Sequence, residues 1–426
     1  MPVGIVSPVP AGAQKAMDSY TALRQQEINE LHPTDDDYEF RLMEAARRFR
    51  PFDAALDPFL AEHGYAGDMA DAEAKVAFLR ERFLSAGVPV PREIDKWYGE
   101  HRDIRRETAF ALCFAFSLGL GETDDFFYRV FSRERSFDCH APEEAVYYFC
   151  IRNRLPWAEA QRIIRLIPQL PMGRLDSSGE VLYTGSIMKE LDRITDADRL
   201  IDYLTENADQ FCYNNVTAFQ LISRLWSELT DVDGLLPREQ KELLPSEPSQ
   251  AEESGRPRRV RKKSPKPMSS MEGWRAMLQI DRSTMADLNT GKQDRRSLSQ
   301  VLALLPRATR DSFPDRQGID LILRGEHVSY ERVRKWLILL AFTRHWLRLA
   351  LSRHSYGAAG NDEGIAVDSI NKFLSDAGYM ELYPGNPYDW IFLFSCHTEA
   401  PLAIFRDIWN TLLADVLEAN APANPN

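Results

Sequence analysis

The chain has 426 residues, 44% of them hydrophobic and 27% charged, with a formal net charge of −12. That apolar content can build ordinary cores, which excludes wholesale disorder. The acidic balance excludes a surface that binds polyanions everywhere and confines any nucleic-acid contact to a local basic patch.

The start, MPVGIVSPVPAGAQKAM, lacks the basic region and long apolar stretch of a signal peptide. Residues 1–16 are expected to be a flexible terminus. Residues 17–243 are expected to form an N-terminal helical module, because apolar residues recur at spacings of three and four. Within it, HPTDDDYEF lacks the alternating oxygen ligands and central glycine of a calcium loop. It reads as a helix start. The longest uncharged apolar-rich run, TAFALCFAFSLGLG, falls short of the roughly 20 residues that span a bilayer. YTGS lacks the GK[ST] ending of a phosphate loop. No alternating β pattern or Asn-Gly hairpin turn occurs, so the expected class is all-α.

Residues 244–270 are rich in proline, serine and charge and predict a flexible basic linker. Seven basic residues fall within eleven there: Arg256, Arg258, Arg259, Arg261, Lys262, Lys263 and Lys266. This run could track phosphates without sequence preference. It also reads as a solvated charge run beside the acidic EPSQAEES. Residues 271–418 are expected to form a C-terminal helical module, and 419–426 a flexible tail.

Two stretches far apart read alike: PEEAVYYFCIRNRLPWAEAQRII and PYDWIFLFSCHTEAPLAIFRDI. Pro142, Phe149 and Pro156 are spaced as Pro387, Phe394 and Pro401 are. Proline suits the first helical position, and Glu143, Glu144 and Asp389 suit the dipole of a first turn. Asn386 suits an N-cap. A basic-headed apolar helix and a second helix precede each stretch, so the two modules are expected to contain a duplicated helical-bundle unit.

The five cysteines, Cys113, Cys139, Cys150, Cys212 and Cys396, are odd in number and irregularly spaced. They predict reduced, buried thiols in a cytoplasmic protein. Cys139-His140 and Cys396-His397 lack the partners of a zinc site, so neither a metal nor a cofactor is expected.

The segment IDRSTMADLNTGKQDRRSLSQVLALL carries Ser283 and Thr284 at a helix head, a turn at Thr290-Gly291-Lys292, and a second apolar helix. It resembles the helix-turn-helix segment of the lambda-repressor-like (XRE) family. That family sends the N-terminal part of such a helix into the DNA major groove. Carried over by position, the resemblance implies base contacts from Arg282, Ser283, Thr284 and Asp287. It implies phosphate contacts from Lys292, Arg295 and Arg296. The family normally places another helix just before, and MEGWRAMLQI is short for that part. A fainter version, EIDKWYGEHRDIRRETAFALCF, has Trp97 where a base-reading helix carries a small or polar residue. An N-cap, a glycine C-cap and a following helix also describe any helical hairpin.

RRETAFALCFAFSLGL followed by EEAVYYFC, together with GYMELYPGNPYDWIFLF, resembles uncharacterised helical proteins of Gram-positive gut bacteria. That resemblance implies a bacterial origin and the duplicated unit, and brings no assigned activity. The expected function is a non-enzymatic DNA-binding-like regulator. The alternative is a helical protein-interaction adaptor, in a stress or phage-defence setting, that reads no DNA.

Overall fold

Residues 330–353 carry at their centre the run WLILLAF, apolar on every side, which suits only a helix buried among others. In the computed structural model they form the 24-residue helix Tyr330–Arg353, about 36 Å long. The model describes residues 19–99, 104–131, 136–137, 139, 141–167, 184–207, 211, 215–243, 266–279, 314, 316–326 and 328–419.

The fold is all-α, with no strand among the described residues. The first helices are α1 (Ser19–Glu30), α2 (Tyr38–Arg47), α3 (Phe52–Glu62), α4 (Ala72–Ser85), α5 (Ile94–Gly99), α6 (Arg106–Ala115) and α7 (Leu120–Arg129). Then come α8 (Pro142–Arg152), α9 (Trp157–Leu166), α10 (Thr184–Arg193), α11 (Ala197–Glu206), α12 (Val216–Thr230) and α13 (Leu235–Glu242). After them stand α14 (Ser270–Leu278), α15 (Arg316–Leu323), α16 (Tyr330–Arg353), α17 (Asp362–Asp376), α18 (Pro387–Cys396) and α19 (Pro401–Ala419).

Two hydrophobic clusters organise these helices. One draws its buried side chains from a continuous stretch, Phe52 to Phe211, and so from α3 to α11. The other surrounds α16 and combines α12 to α19 with the N-terminal pair α1 and α2. This partition does not follow the expected division at residues 244–270. The reason lies in the side chains. Trp390 Nε1 donates to the Arg24 carbonyl at 3.2 Å, and Tyr38 stacks on Phe394 at 6.4 Å. Phe49 meets Trp390 edge-on. On α12, Trp226 meets Trp336 edge-on, and Glu228 pairs with Arg344 and Arg348 of α16. The α1–α2 pair and α12 thus bury their apolar faces against the C-terminal half. The clusters touch where Tyr128 packs on Tyr383 at 4.5 Å and Arg50 Nη2 donates to the Arg129 carbonyl at 2.9 Å.

The two similar stretches form similar local structure. Pro142 and Pro387 each open a helix, and Asn386 Oδ1 accepts from the backbone N–H of Tyr388 and Asp389. Glu144 and Asp389, two residues beyond each proline, do more than face a helix dipole. Arg106 donates to both oxygens of Glu144 at 2.6 and 2.8 Å, and Arg334 donates to both oxygens of Asp389 at 2.7 Å. Each arginine also reaches backbone carbonyls: Ser136 for Arg106, Met380 and Glu381 for Arg334. Burial pulls the Arg106 guanidinium down, but Glu144 beside it wins and holds it above its ordinary value. Eight residues past each arginine, Phe114 or Phe342 meets edge-on the ring five past each proline, Tyr147 or Phe392. Phe149 and Phe394 are both fully buried.

Candidate nucleic-acid interface

Helix α14 is short, and its ends are fixed by several independent contacts. At its start, Ser269 and Glu272 form a reciprocal cap: the Ser269 N–H donates to Glu272 Oε2 at 2.8 Å, and the Glu272 N–H donates to Ser269 Oγ at 3.3 Å. That cap holds the Glu272 carboxyl below its ordinary range. Met268 N donates to the Thr230 carbonyl at 2.9 Å, so this residue, expected as linker, is held against α12. Gly273 lies where a β-carbon would sit 2.8 Å from both Trp226 and Thr230, and only glycine allows this approach. Trp274, Met277 and Leu278 are buried, and Trp274 Nε1 donates to the Pro314 carbonyl at 3.0 Å.

At the other end of α14 lies a buried charged network. Arg406 of α19 donates to the Met277 carbonyl at 3.0 Å and to the Ala276 carbonyl at 3.3 Å. It also donates to both oxygens of Glu239 at 2.7 and 3.0 Å. Tyr356 Oη and Gln279 Nε2 donate to the same carboxylate at 2.6 and 3.4 Å. Burial, and then this hydrogen bond to Glu239, push the Tyr356 hydroxyl pKa up. The Met277 carbonyl at the end of α14 thereby gains a side-chain partner, and the Ala276 carbonyl a second one beside the Gln279 N–H. Gln279 closes the helix in a left-handed conformation at φ 47°.

The described chain pauses after Leu243 and resumes at Lys266, then pauses after Gln279 and resumes at Pro314. Arg282, Ser283, Thr284, Asp287, Lys292, Arg295 and Arg296 lie outside the described residues, as do Arg256, Arg258, Arg259, Arg261, Lys262 and Lys263. Lys266 is described and exposed. The basic run therefore joins the N-terminal side of α14, and the helix-turn-helix-like segment joins its C-terminal side. Nine helical residues separate the two attachments, about 13 Å along the axis.

The fainter version in the first half is turned inward. Trp97 is 3% exposed and meets Phe52 edge-on at 5.6 Å. Its neighbour Tyr98 donates to Asp57 at 3.0 Å, and Lys75 donates to both oxygens of the same carboxylate. Trp97 and Tyr98 are thus committed to the core rather than to a base.

The Cys396–His397 pair comes apart in space. Cys396 is buried and its thiol is pushed up to about 12 by burial, while His397 Nδ1 lies 3.2 Å from Glu363. Cys139 is buried; His140 and Cys212 lie outside the described residues. Burial also pushes the Cys113 thiol up, and the Cys150 thiol up to about 12. Such thiols stay protonated near neutral pH and are poor nucleophiles.

Two features escaped sequence reasoning. The Glu239–Arg406 pair joins residues 167 apart, and only the pattern of charge within apolar helices could have hinted at it. The second is a groove between α1 and α2, lined by Leu23 and Phe40, whose only sequence signal was apolar residues on a face otherwise polar. Compared with known proteins, the chain matches no family model, no curated protein and no solved structure.

Proposed function

We propose that this chain is a non-enzymatic, DNA-binding-like regulatory protein of bacterial origin, acting in the cytoplasm. One observation carries the reading: both segments with nucleic-acid character root at opposite ends of α14, and α14 is anchored by Trp274, Gly273, Glu239 and Arg406. A rigid root suits a reading element, since base contacts demand defined orientation while a basic arm needs only proximity. In this reading Arg282, Ser283, Thr284 and Asp287 face base edges. Lys292, Arg295 and Arg296 meet phosphates, and the run Arg256 to Lys266 adds nonspecific attraction.

The test is a binding titration of the full chain against random and genomic duplexes. Arg282→Ala should lose about 1–3 kcal/mol on the preferred duplex and little on random DNA. Binding that survives Arg282→Ala unchanged but vanishes when the linker cluster is neutralised would remove the reading role.

The adaptor alternative rests on a different observation. Leu23 and Phe40 are 45% and 67% exposed on facing helices, the kind of apolar surface that takes a protein partner. No duplex binding, together with a partner seated there, would favour it.

A further inference from the structure

One of the two hydrophobic clusters is entered and left by the chain once. Its buried side chains come from Phe52 to Phe211 in one stretch, while the other cluster draws on both sides of that stretch, Ile28 to Ala46 and Ala218 to Trp409. Residues 52–211 are therefore an insertion between α2 and α12 with a core of their own. A body of this kind moves as a unit unless a broad apolar interface holds it.

Both crossings of the chain meet one ledge, residues 377–390. Just before the insertion, Phe49 meets Trp390 edge-on at 5.9 Å. Just after it, Asn215 Nδ2 donates to the Ala377 carbonyl at 2.6 Å. The ledge is held from within its own cluster. Arg334 donates to the Met380 and Glu381 carbonyls at 3.3 and 3.2 Å and to both oxygens of Asp389. Asp389 also accepts from the Tyr383 N–H at 2.9 Å. A β-carbon at Gly385 would sit 2.6 Å from the Tyr383 side chain, so only glycine lets that ring lie so close to the main chain.

The contacts that cross to the insertion are of a different kind. Tyr383 packs on Tyr128 at 4.5 Å, Arg106 lies over the Tyr330 ring at 5.6 Å, and Arg50 donates to the Arg129 carbonyl at 2.9 Å. Tyr128 and Tyr383 are half-buried and belong to neither core. When these contacts part, Arg106 keeps its pair with Glu144, and Tyr383 keeps the 2.6 Å hydroxyl contact with Thr21. The polar groups released are ones that water can satisfy, and neither core is opened.

We propose that residues 52–211 swing as one body about the ledge, with the Tyr128–Tyr383 contact as the latch of the closed form. A few residues at two neighbouring crossings are enough to absorb such a rotation. The proposal is independent of DNA reading, since it concerns how the two cores are joined.

The test is a distance measurement by double electron–electron resonance on the full chain. Spin labels are placed through Leu84→Cys on the insertion and Ile365→Cys on the other cluster, at side chains 69% and 57% exposed. Cys113, Cys139, Cys150 and Cys396 are buried, and Cys212→Ser removes the fifth thiol. The proposal expects two distance components in the wild type, the closed one dominant. Tyr128→Ala and Tyr383→Ala should each raise the open component about two- to ten-fold, the worth of one aromatic pair, with the helical signal unchanged. Tyr128→Phe keeps the ring and should leave the distribution as it is, as should Phe40→Ser, at an exposed ring that makes none of these contacts. One narrow distance that both alanine variants leave in place would overturn the proposal. So would loss of the helical signal in both variants, because the junction would then be part of a single cooperative core.

Discussion

Arg406 and Glu239 show what single residues contribute here. Both side chains are almost wholly buried, so removing one partner strands a charge away from water. Arg406→Met or Glu239→Gln should each cost about 3–5 kcal/mol in denaturant unfolding, while the double replacement should cost clearly less than the sum. Asp362 makes a pH prediction. Its hydrogen bond from Arg353, and then the one from the Ala359 N–H, hold its carboxyl below the ordinary range. A depressed folded pKa means stability that is fully present above about 3.9, the usual unfolded value, and lost as pH falls through the folded value. Asp362→Asn should therefore lower stability at neutral pH and change it little once the acid limb is passed, as read by urea midpoints from pH 7 to pH 2. Neither site was legible in the sequence. Glu239 and Arg406 are 167 residues apart, and Arg353 and Asp362, though only nine apart, sit on different helices, so neither charge names its counter-ion in the sequence. The cysteines were legible, because most sit inside apolar runs, and the four described ones are buried.

Helix starts were the most legible elements. Pro142 and Pro387 open their helices, and Asn386 caps the second, as proline and N-cap chemistry require. Pro156 sits one place before its helix rather than inside it, a difference of the size that helix ends always show. The register between the two similar stretches was not legible upstream, where unequal turns intervene; the arginine–carboxylate pairs now supply it. Taking Arg106 with Arg334 and Pro142 with Pro387, we propose that the two units are copies of one bundle. Phe149→Ala and Phe394→Ala, at matching buried positions, should each destabilise their cluster by roughly 3–5 kcal/mol. A near-zero cost at either position, measured by thermal or denaturant unfolding, would break the equivalence.

At the scale of the molecule, the all-α class followed from helical periodicity, but the assignment of helices to cores did not. Apolar faces on α1, α2 and α12 announce that something covers them without saying what. In the structure the cover is the C-terminal half, through contacts such as Asn215 Nδ2 to the Ala377 carbonyl at 2.6 Å. Trypsin should cut first within residues 256–266. The two pieces should then stay together on a native sizing column, because α12 and α13 of one piece pack on α16 of the other. Pieces that separate without denaturant would mean that the halves carry independent cores.

The DNA-reading role proposed for the segment that follows α14 can be tested directly. The most direct measurement is the affinity of the full chain for duplex as a function of salt, for wild type, Arg282→Ala and Arg295→Ala/Arg296→Ala. The proposed role predicts that the wild type prefers some genomic duplexes over random ones and that Arg282→Ala erases this preference. It predicts that the double variant weakens all duplexes alike and flattens the salt slope by about one unit per lost contact. A wild type that binds no duplex even at low salt would contradict it.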